Sequence, residues 1–140
     1  MPTSNSIILV DTSVAVAAML SDHESQAAVV DALTGLRPGL CGHAWFETFS
    51  VLTRLPAPQR RPAREISEAL HHNFPETRWL SQKATSDLAA GCAKLGIAGG
   101  AVYDALVAAV AVAEDLPLLT RDLRALGTYQ AIGARAIPIT

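Results

Sequence analysis

Short, continuous apolar runs alternate along this chain with longer stretches in which apolar residues recur every three or four positions. The runs are IILV at 7–10, a weaker GLC near residue 40, RWL near 79, LPLLT at 116–120 and RAIPI at 135–139. Runs of four to six apolar residues bounded by turn formers read as buried strands. The helical stretches between them begin at 13–20, with Thr12 or Ser13 as cap, and at 24–34, which ends near Gly35. AWFETFSVLTRL stops at Pro56, REISEALHHNF lies between Pro62 and Pro75, and SQKATSDLAAGCAKLGI runs from a Ser cap to Gly96. AVYDALVAAVAVAED continues to Pro117, and a short helix RDLRAL ends at Gly127. Strands that are apolar throughout, separated by helices, predict an α/β fold whose parallel sheet is covered on both faces. The loop PAPQRRPAR at 56–64 is too short to divide domains, so residues 1–140 are expected to form one domain.

Composition narrows the picture. Half of the 140 residues are apolar, which suits a well-packed globular domain. The net charge of −2 offers no overall basic field, so any nucleic-acid surface has to be local. The densest basic cluster is Arg54, Arg60, Arg61 and Arg64, readable as a solvated loop or as a phosphate-binding strip. Cys41 and Cys92 lack any zinc-like or CxxC spacing and read as buried thiols of a reducing compartment. The apolar run ALVAAVAVA is too short to span a bilayer, and no basic region precedes an apolar segment at the start. The expectation is a cytoplasmic protein without a membrane partner.

Four acids stand in unusual settings. Asp11 follows IILV directly, at the carboxyl end of the first strand, where ligands bind in parallel α/β sheets. Glu47 sits among Ala44, Phe46, Phe49, Val51 and Leu52 in a helix with few other positions for a charge. Asp104 opens a helix that carries no second charge as far as Val112. Asp122 stands just beyond the strand LPLLT. Each has an ordinary explanation, as a cap, an exposed stripe or a dipole partner. Together they suggest several carboxylates at one sheet edge, which repel unless a cation neutralises them. Hard oxygen donors of this kind suit Mg²⁺ or Mn²⁺ and a phosphodiester substrate.

The pieces ILVDTSVAVA, FETFSVLTRL, GGAVYDALVAAVA and LLTRDLRAL, in this order and spacing, resemble PIN-domain ribonucleases, and most of all the VapC-type toxins of bacterial toxin–antitoxin pairs. The resemblance covers essentially the whole chain. It implies a three-layer fold with a five-stranded parallel sheet of order 3-2-1-4-5 flanked by helices. It assigns Asp11, Glu47, Asp104 and Asp122 to an acidic quartet that holds Mg²⁺ or Mn²⁺, with Thr12, Ser13 and Thr120 as accompanying polar positions. Asp11 and Asp104 are then the principal ligands, Glu47 orients a water, and Asp122 serves a second or weaker metal. Hydrolysis of RNA by activated water would leave a 5′-phosphate and a 3′-hydroxyl. The same resemblance implies a cognate antitoxin and a homodimer as partners. Trp45 departs from the pattern, being bulky where smaller residues are common beside Glu47.

Arg121 and Arg124 flank Asp122 and are candidate substrate contacts. His71 and His72 are adjacent on a helix, point about 100° apart, and are poor partners for one metal. His43 is one helical turn from Glu47. Tyr103 and Trp45 are each able to stack a base, though packing is the simpler use for both. A haloacid-dehalogenase-type phosphatase with Asp11 as nucleophile fits less well, because Ser13 replaces the second Asp of that pattern and no suitable Lys follows Thr120. A catalytically inert interaction module would predict a broken quartet, whereas all four acids are present.

Overall fold

A computed structural model describes residues 5–139. β1 (Ile7–Val10) is followed by α1 (Thr12–Met19), α2 (Gln26–Leu33), β2 (Arg37–Leu40), α3 (His43–Thr53) and α4 (Ala63–Asn73). Then come α5 (Gln82–Leu95), α6 (Ala101–Glu114), β3 (Leu118–Thr120), α7 (Leu126–Ile132) and β4 (Ala136–Pro138). The strands form one parallel sheet in the order β2-β1-β3-β4. Ile8, Leu9 and Val10 are all buried. Successive residues on a strand face opposite ways, so both faces of β1 are covered. The Ala- and Val-rich α6 buries Ala105, Val107, Ala108, Val110 and Ala111. Small side chains let that helix lie close to its neighbours.

Two expectations need correction. The run RWL does not form a fifth strand; residues 75–78 run beside β2 but make only isolated bridges, Gly39 with Pro75 and Cys41 with Arg78. The cause is local. Pro38 has no N–H to donate, and the Leu40 N–H goes to the Thr77 hydroxyl at 3.0 Å instead of a neighbouring carbonyl. What remains are Glu76 N–H to Pro38 O, Arg78 N–H to Leu40 O and Gly42 N–H to Arg78 O. The expected spatial order therefore survives with four strands and a bridged edge.

The second correction concerns RDLRAL, which is a turn and not a helix; α7 starts at Leu126 and runs through Gly127 to Ile132. Asp122 Oδ1 accepts the Arg124 N–H at 3.0 Å and Asp122 O accepts that of Ala125, closing a turn before helix can form. The stop is Gly133, at φ 102°, where a left-handed residue ends the helix at no steric cost. This shift brings Tyr129 into the interior, where it is buried.

A smaller adjustment matters more for the chemistry. Neither Thr12 nor Ser13 caps α1. Asp11 does, its carboxylate accepting the Val14 N–H.

Candidate active site at the carboxyl edge of the sheet

β1 and β3 are neighbours, so their carboxyl ends bring Asp11 beside Thr120 across 109 residues of chain. Asp11 is 3% exposed. A carboxylate buried that deeply requires donors, and it has four. Oδ1 accepts from the Ser13 hydroxyl at 2.6 Å and the Val14 N–H at 3.2 Å. Oδ2 accepts from the Thr120 hydroxyl and from the Tyr129 phenol, the latter at 2.8 Å. The hydroxyls are themselves fixed: Ser13 Oγ accepts the Arg121 N–H at 2.8 Å, and Thr120 Oγ1 accepts the Asp122 N–H at 3.0 Å. Among the described residues no buried side-chain nitrogen or oxygen lacks a partner.

A cleft of about 240 Å³ opens above this network, lined by Asp11, Thr12, Ser13, Glu47, Asp104 and Asp122, with Val107, Arg124 and Tyr129. All four acids singled out in the sequence therefore share one cavity. Glu47 approaches from α3, and its Oε1 lies 3.2 Å from His43 Nε2, one turn earlier. Burial holds the Glu47 carboxyl above its ordinary value; His43 draws it down, while the charges of Asp104 and Asp11 push it up. Asp104, in the first turn of α6, is raised chiefly by burial as well, with Arg124 opposing. Tyr129 is kept protonated by burial and by the Asp11 charge. The same two causes hold the buried Cys41 thiol far above its usual range, so it is inert.

Arg124 reaches over the cleft, with Nη1 3.2 Å from Asp104 Oδ2 and Nη2 2.9 Å from Asp122 Oδ2. Arg121 behaves differently. Its guanidinium turns away to the Ser25 hydroxyl at 2.7 Å, and only its backbone N–H serves the site. Thr12 lines the cleft and ties α1 to α3 through a hydrogen bond to Ala44 O at 3.3 Å. Trp45 does not crowd Glu47, because its ring stacks on Phe49 and meets His71 edge-on. His71 and His72 lie exposed on α4, apart from the acids. Tyr129 is the residue that sequence reasoning missed. Its only signal was an aromatic four residues after Ala125, legible once the helix is placed beyond Gly127 rather than before it.

The donor chemistry, carboxylate oxygens on three elements, is of the kind a hard divalent cation takes. Among the described residues no three acids, histidines or cysteines stand close enough together to hold a metal ion as the side chains are placed. Mg²⁺ does not need three such ligands, since it keeps several waters and takes one or two carboxylates. The acids already hold one cation, the Arg124 guanidinium, which marks the demand for positive charge there. Glu47, Asp104 and Asp122 are available as oxygen donors around the saturated Asp11.

Comparison with known proteins bears on the family and the fold. The PIN domain family matches residues 8–129. Ribonuclease VapC27 of Mycobacterium tuberculosis is 42% identical over 130 residues, covering 93% of this chain and 95% of that protein. Ribonuclease VapC40 of the same species is 42% identical over 129 residues, 90% of this chain and 94% of the relative. Among solved structures, FitAcB from Neisseria gonorrhoeae superposes with a TM-score of 0.69 at 20% identity, over 93% of this chain and 96% of that one. VapBC2 from Rickettsia felis, bound to a DNA fragment from its promoter, gives 0.68 at 16% identity, over 96% and 99%. These two likenesses show the fold. With the family matched over most of its length and close relatives across nearly all of it, the chain belongs to the PIN-domain family, among the VapC-type ribonucleases.

Proposed function

We propose that this chain, as one domain over residues 1–140, is an endoribonuclease that hydrolyses RNA phosphodiester bonds with the help of Mg²⁺ or Mn²⁺. The observation that carries the reading is the convergence of Asp11, Glu47, Asp104 and Asp122 on one cleft in a chain 42% identical to proteins named as ribonucleases. Asp104, Asp122 and Glu47 would hold the cation, with Asp11 anchoring the group. Asp11 would join them as a ligand if one of its hydroxyl donors, on Ser13, Thr120 or Tyr129, turned aside. A divalent ion in this position supplies acidity to water and charge against the developing negative phosphate. The protein's own part is positional. Ser13, Val14, Thr120 and Tyr129 fix Asp11, and His43 fixes Glu47, which would orient a water. Arg124 would contact a phosphate oxygen of the substrate once drawn from the acids. The products are a 5′-phosphate and a 3′-hydroxyl.

Asp11 as a covalent nucleophile is disfavoured, since both of its oxygens already accept two hydrogen bonds. The same reading takes a cognate antitoxin as the inhibitor and a second copy as partner. It is supported by the VapC names of the relatives and by VapBC2, the fold neighbour solved with promoter DNA. The test is an assay of purified, partner-free chain on RNA with Mn²⁺ and with EDTA, alongside Asp11→Asn and Asp104→Asn. Cleavage only with metal, lost in both variants, is expected. Cleavage in EDTA, or full activity in either variant, would overturn the mechanism.

A further inference from the structure

Among the described residues three of the exposed large apolar side chains are aromatic: Phe46 is 58% exposed, Trp79 55% and Tyr103 55%. Two of them adjoin acids of the cleft in sequence. Tyr103 precedes Asp104 and Phe46 precedes Glu47. The rings are held and not loose. Tyr103 stacks on His43 with centroids 4.9 Å apart and planes 16° from parallel, and His43 in turn touches Glu47. Trp79 meets Phe46 edge-on at 5.7 Å. It also lies over Gly42, the residue before His43, where a Cβ would stand 3.4 Å from the indole Cε3. Gly42 and His43 are consecutive, so the two ring pairs flank the start of α3 and together form a shelf there.

We propose that this shelf, chiefly Tyr103 and Trp79, stacks unpaired nucleobases of the RNA strand whose phosphate enters the cleft. The inference rests on the ribonuclease reading and names the side chains that would hold the bases beside the scissile phosphate. Aromatic faces left in water are favourably covered by another π-face, and every base has one. Bases within a duplex have both faces occupied by neighbours, so only splayed bases reach such a shelf. The other exposed apolar patches carry no comparable rings: Leu95 and Val112, near the α5–α6 groove, are aliphatic. The shelf meets the acidic cleft through His43, which stacks on Tyr103 and touches Glu47, and that link favours as occupant the strand whose phosphate the cleft takes. Trp45, the other tryptophan, stacks on Phe49, meets His71 edge-on and supports Phe46 edge-on from behind at 5.1 Å, and it is less exposed than the three rings of the shelf.

The full-length protein in EDTA, where the strand stays intact, is titrated with fluorescein-labelled single-stranded RNA and followed by anisotropy. Trp45→Phe leaves Trp79 as the only indole, and its emission should be quenched on binding. Trp79→Leu and Tyr103→Leu should each weaken binding about tenfold, whereas Tyr103→Phe, which keeps the ring, should match the parent. An abasic nucleotide at the stacked position should weaken the parent by a similar factor and leave the Leu variants unaffected further. A blunt RNA duplex should bind more weakly than the single strand. Undiminished RNA binding by both Leu variants would overturn the proposal and leave the ribonuclease reading standing. So would a change from dimer to monomer in those variants without any loss of RNA affinity, which would assign the shelf to a second copy. No RNA binding by the parent itself would strike the ribonuclease reading, and the shelf with it.

Discussion

The Tyr129 hydroxyl donates to Asp11 Oδ2 at 2.8 Å, joining α7 to the end of β1 across 118 residues of sequence. It is the fourth donor on that carboxylate, and it occupies one of about four acceptor positions a carboxylate offers. Tyr129→Phe keeps the ring packing and removes this bond. A lost hydrogen bond to a buried charge costs about 1.5–3 kcal/mol, so the urea midpoint should fall with an unchanged slope. Mn²⁺ affinity by calorimetry should be undiminished, because the change frees an acceptor site on Asp11. A stable variant that has lost metal binding would show that Tyr129 acts on the metal and not on the fold.

Arg124 spans Asp104 and Asp122 in the position where a cation is wanted. Guanidinium and metal compete for the same oxygens. Arg124→Ala should therefore bind Mn²⁺ several-fold more tightly in a direct titration, and the difference should shrink at high salt, where the exposed pair is screened. RNA affinity in EDTA should fall in the same variant, since a phosphate contact is lost with the side chain. Weaker metal binding after the substitution would mean that Arg124 orders the acids and does not compete for them.

The raised carboxyls of Glu47 and Asp104 set a pH dependence. Their ordinary values are 4.5 and 3.8, and burial lifts both in the folded chain. For an acid raised on folding, the native state binds its proton more tightly than the unfolded state does. The stability this contributes is whole below the ordinary values and is lost as pH rises through the folded ones. Metal-free protein should lose Tm from this source on going upward from about pH 4, and Glu47→Gln should flatten that loss. Divalent metal needs the ionised carboxylates, so its binding should release protons and restore stability toward neutral pH. Calorimetry in two buffers of different ionisation enthalpy measures the proton release directly, and none at all would contradict the raised state of these acids.

How far the sequence discloses this site depends on the range of the interactions involved. Asp11 is legible because IILV is a continuous apolar run and the strand's end is the place for chemistry in such sheets. Glu47 and Asp104 are legible because each is the lone charge on an otherwise apolar stretch. Their convergence was inferred from repulsion and resemblance, since no local pattern states that α3 and α6 meet at β1. Tyr129 was hidden because Asp122 and Thr120 make a turn from residues that, taken alone, pass as the start of a helix. The fifth strand failed for an equally local reason, Thr77 taking the Leu40 N–H that a ladder would need. Side chains that intercept backbone groups defeat periodicity.

The bridged edge beside β2 gives the most stringent structural prediction. A Cβ at Gly39 would lie 2.0 Å from Glu76 O, 2.1 Å from its carbonyl carbon and 2.6 Å from Thr77 N. These are backbone atoms, so no side-chain rotation relieves the clash. Gly39 is needed here for close approach and not for an unusual φ. Gly39→Ala must either push residues 75–78 off β2 or displace β2 itself. Overpacking of this kind costs about 1–3 kcal/mol, occasionally more, and a backbone clash belongs at the upper end. The bonds at risk are Glu76 N–H to Pro38 O at 3.1 Å and Arg78 N–H to Leu40 O at 3.1 Å. Trp79 follows this segment directly, so its contact with Gly42 and Phe46 should loosen before the core unfolds. The expected result is a lower urea midpoint and faster amide exchange at residues 76 and 78, with exchange in β1 unchanged. In a Trp45→Phe background the emission of Trp79 should also shift. If Gly39→Ala retains parent stability and parent exchange at residues 76 and 78, the close packing of this loop on β2 is wrong.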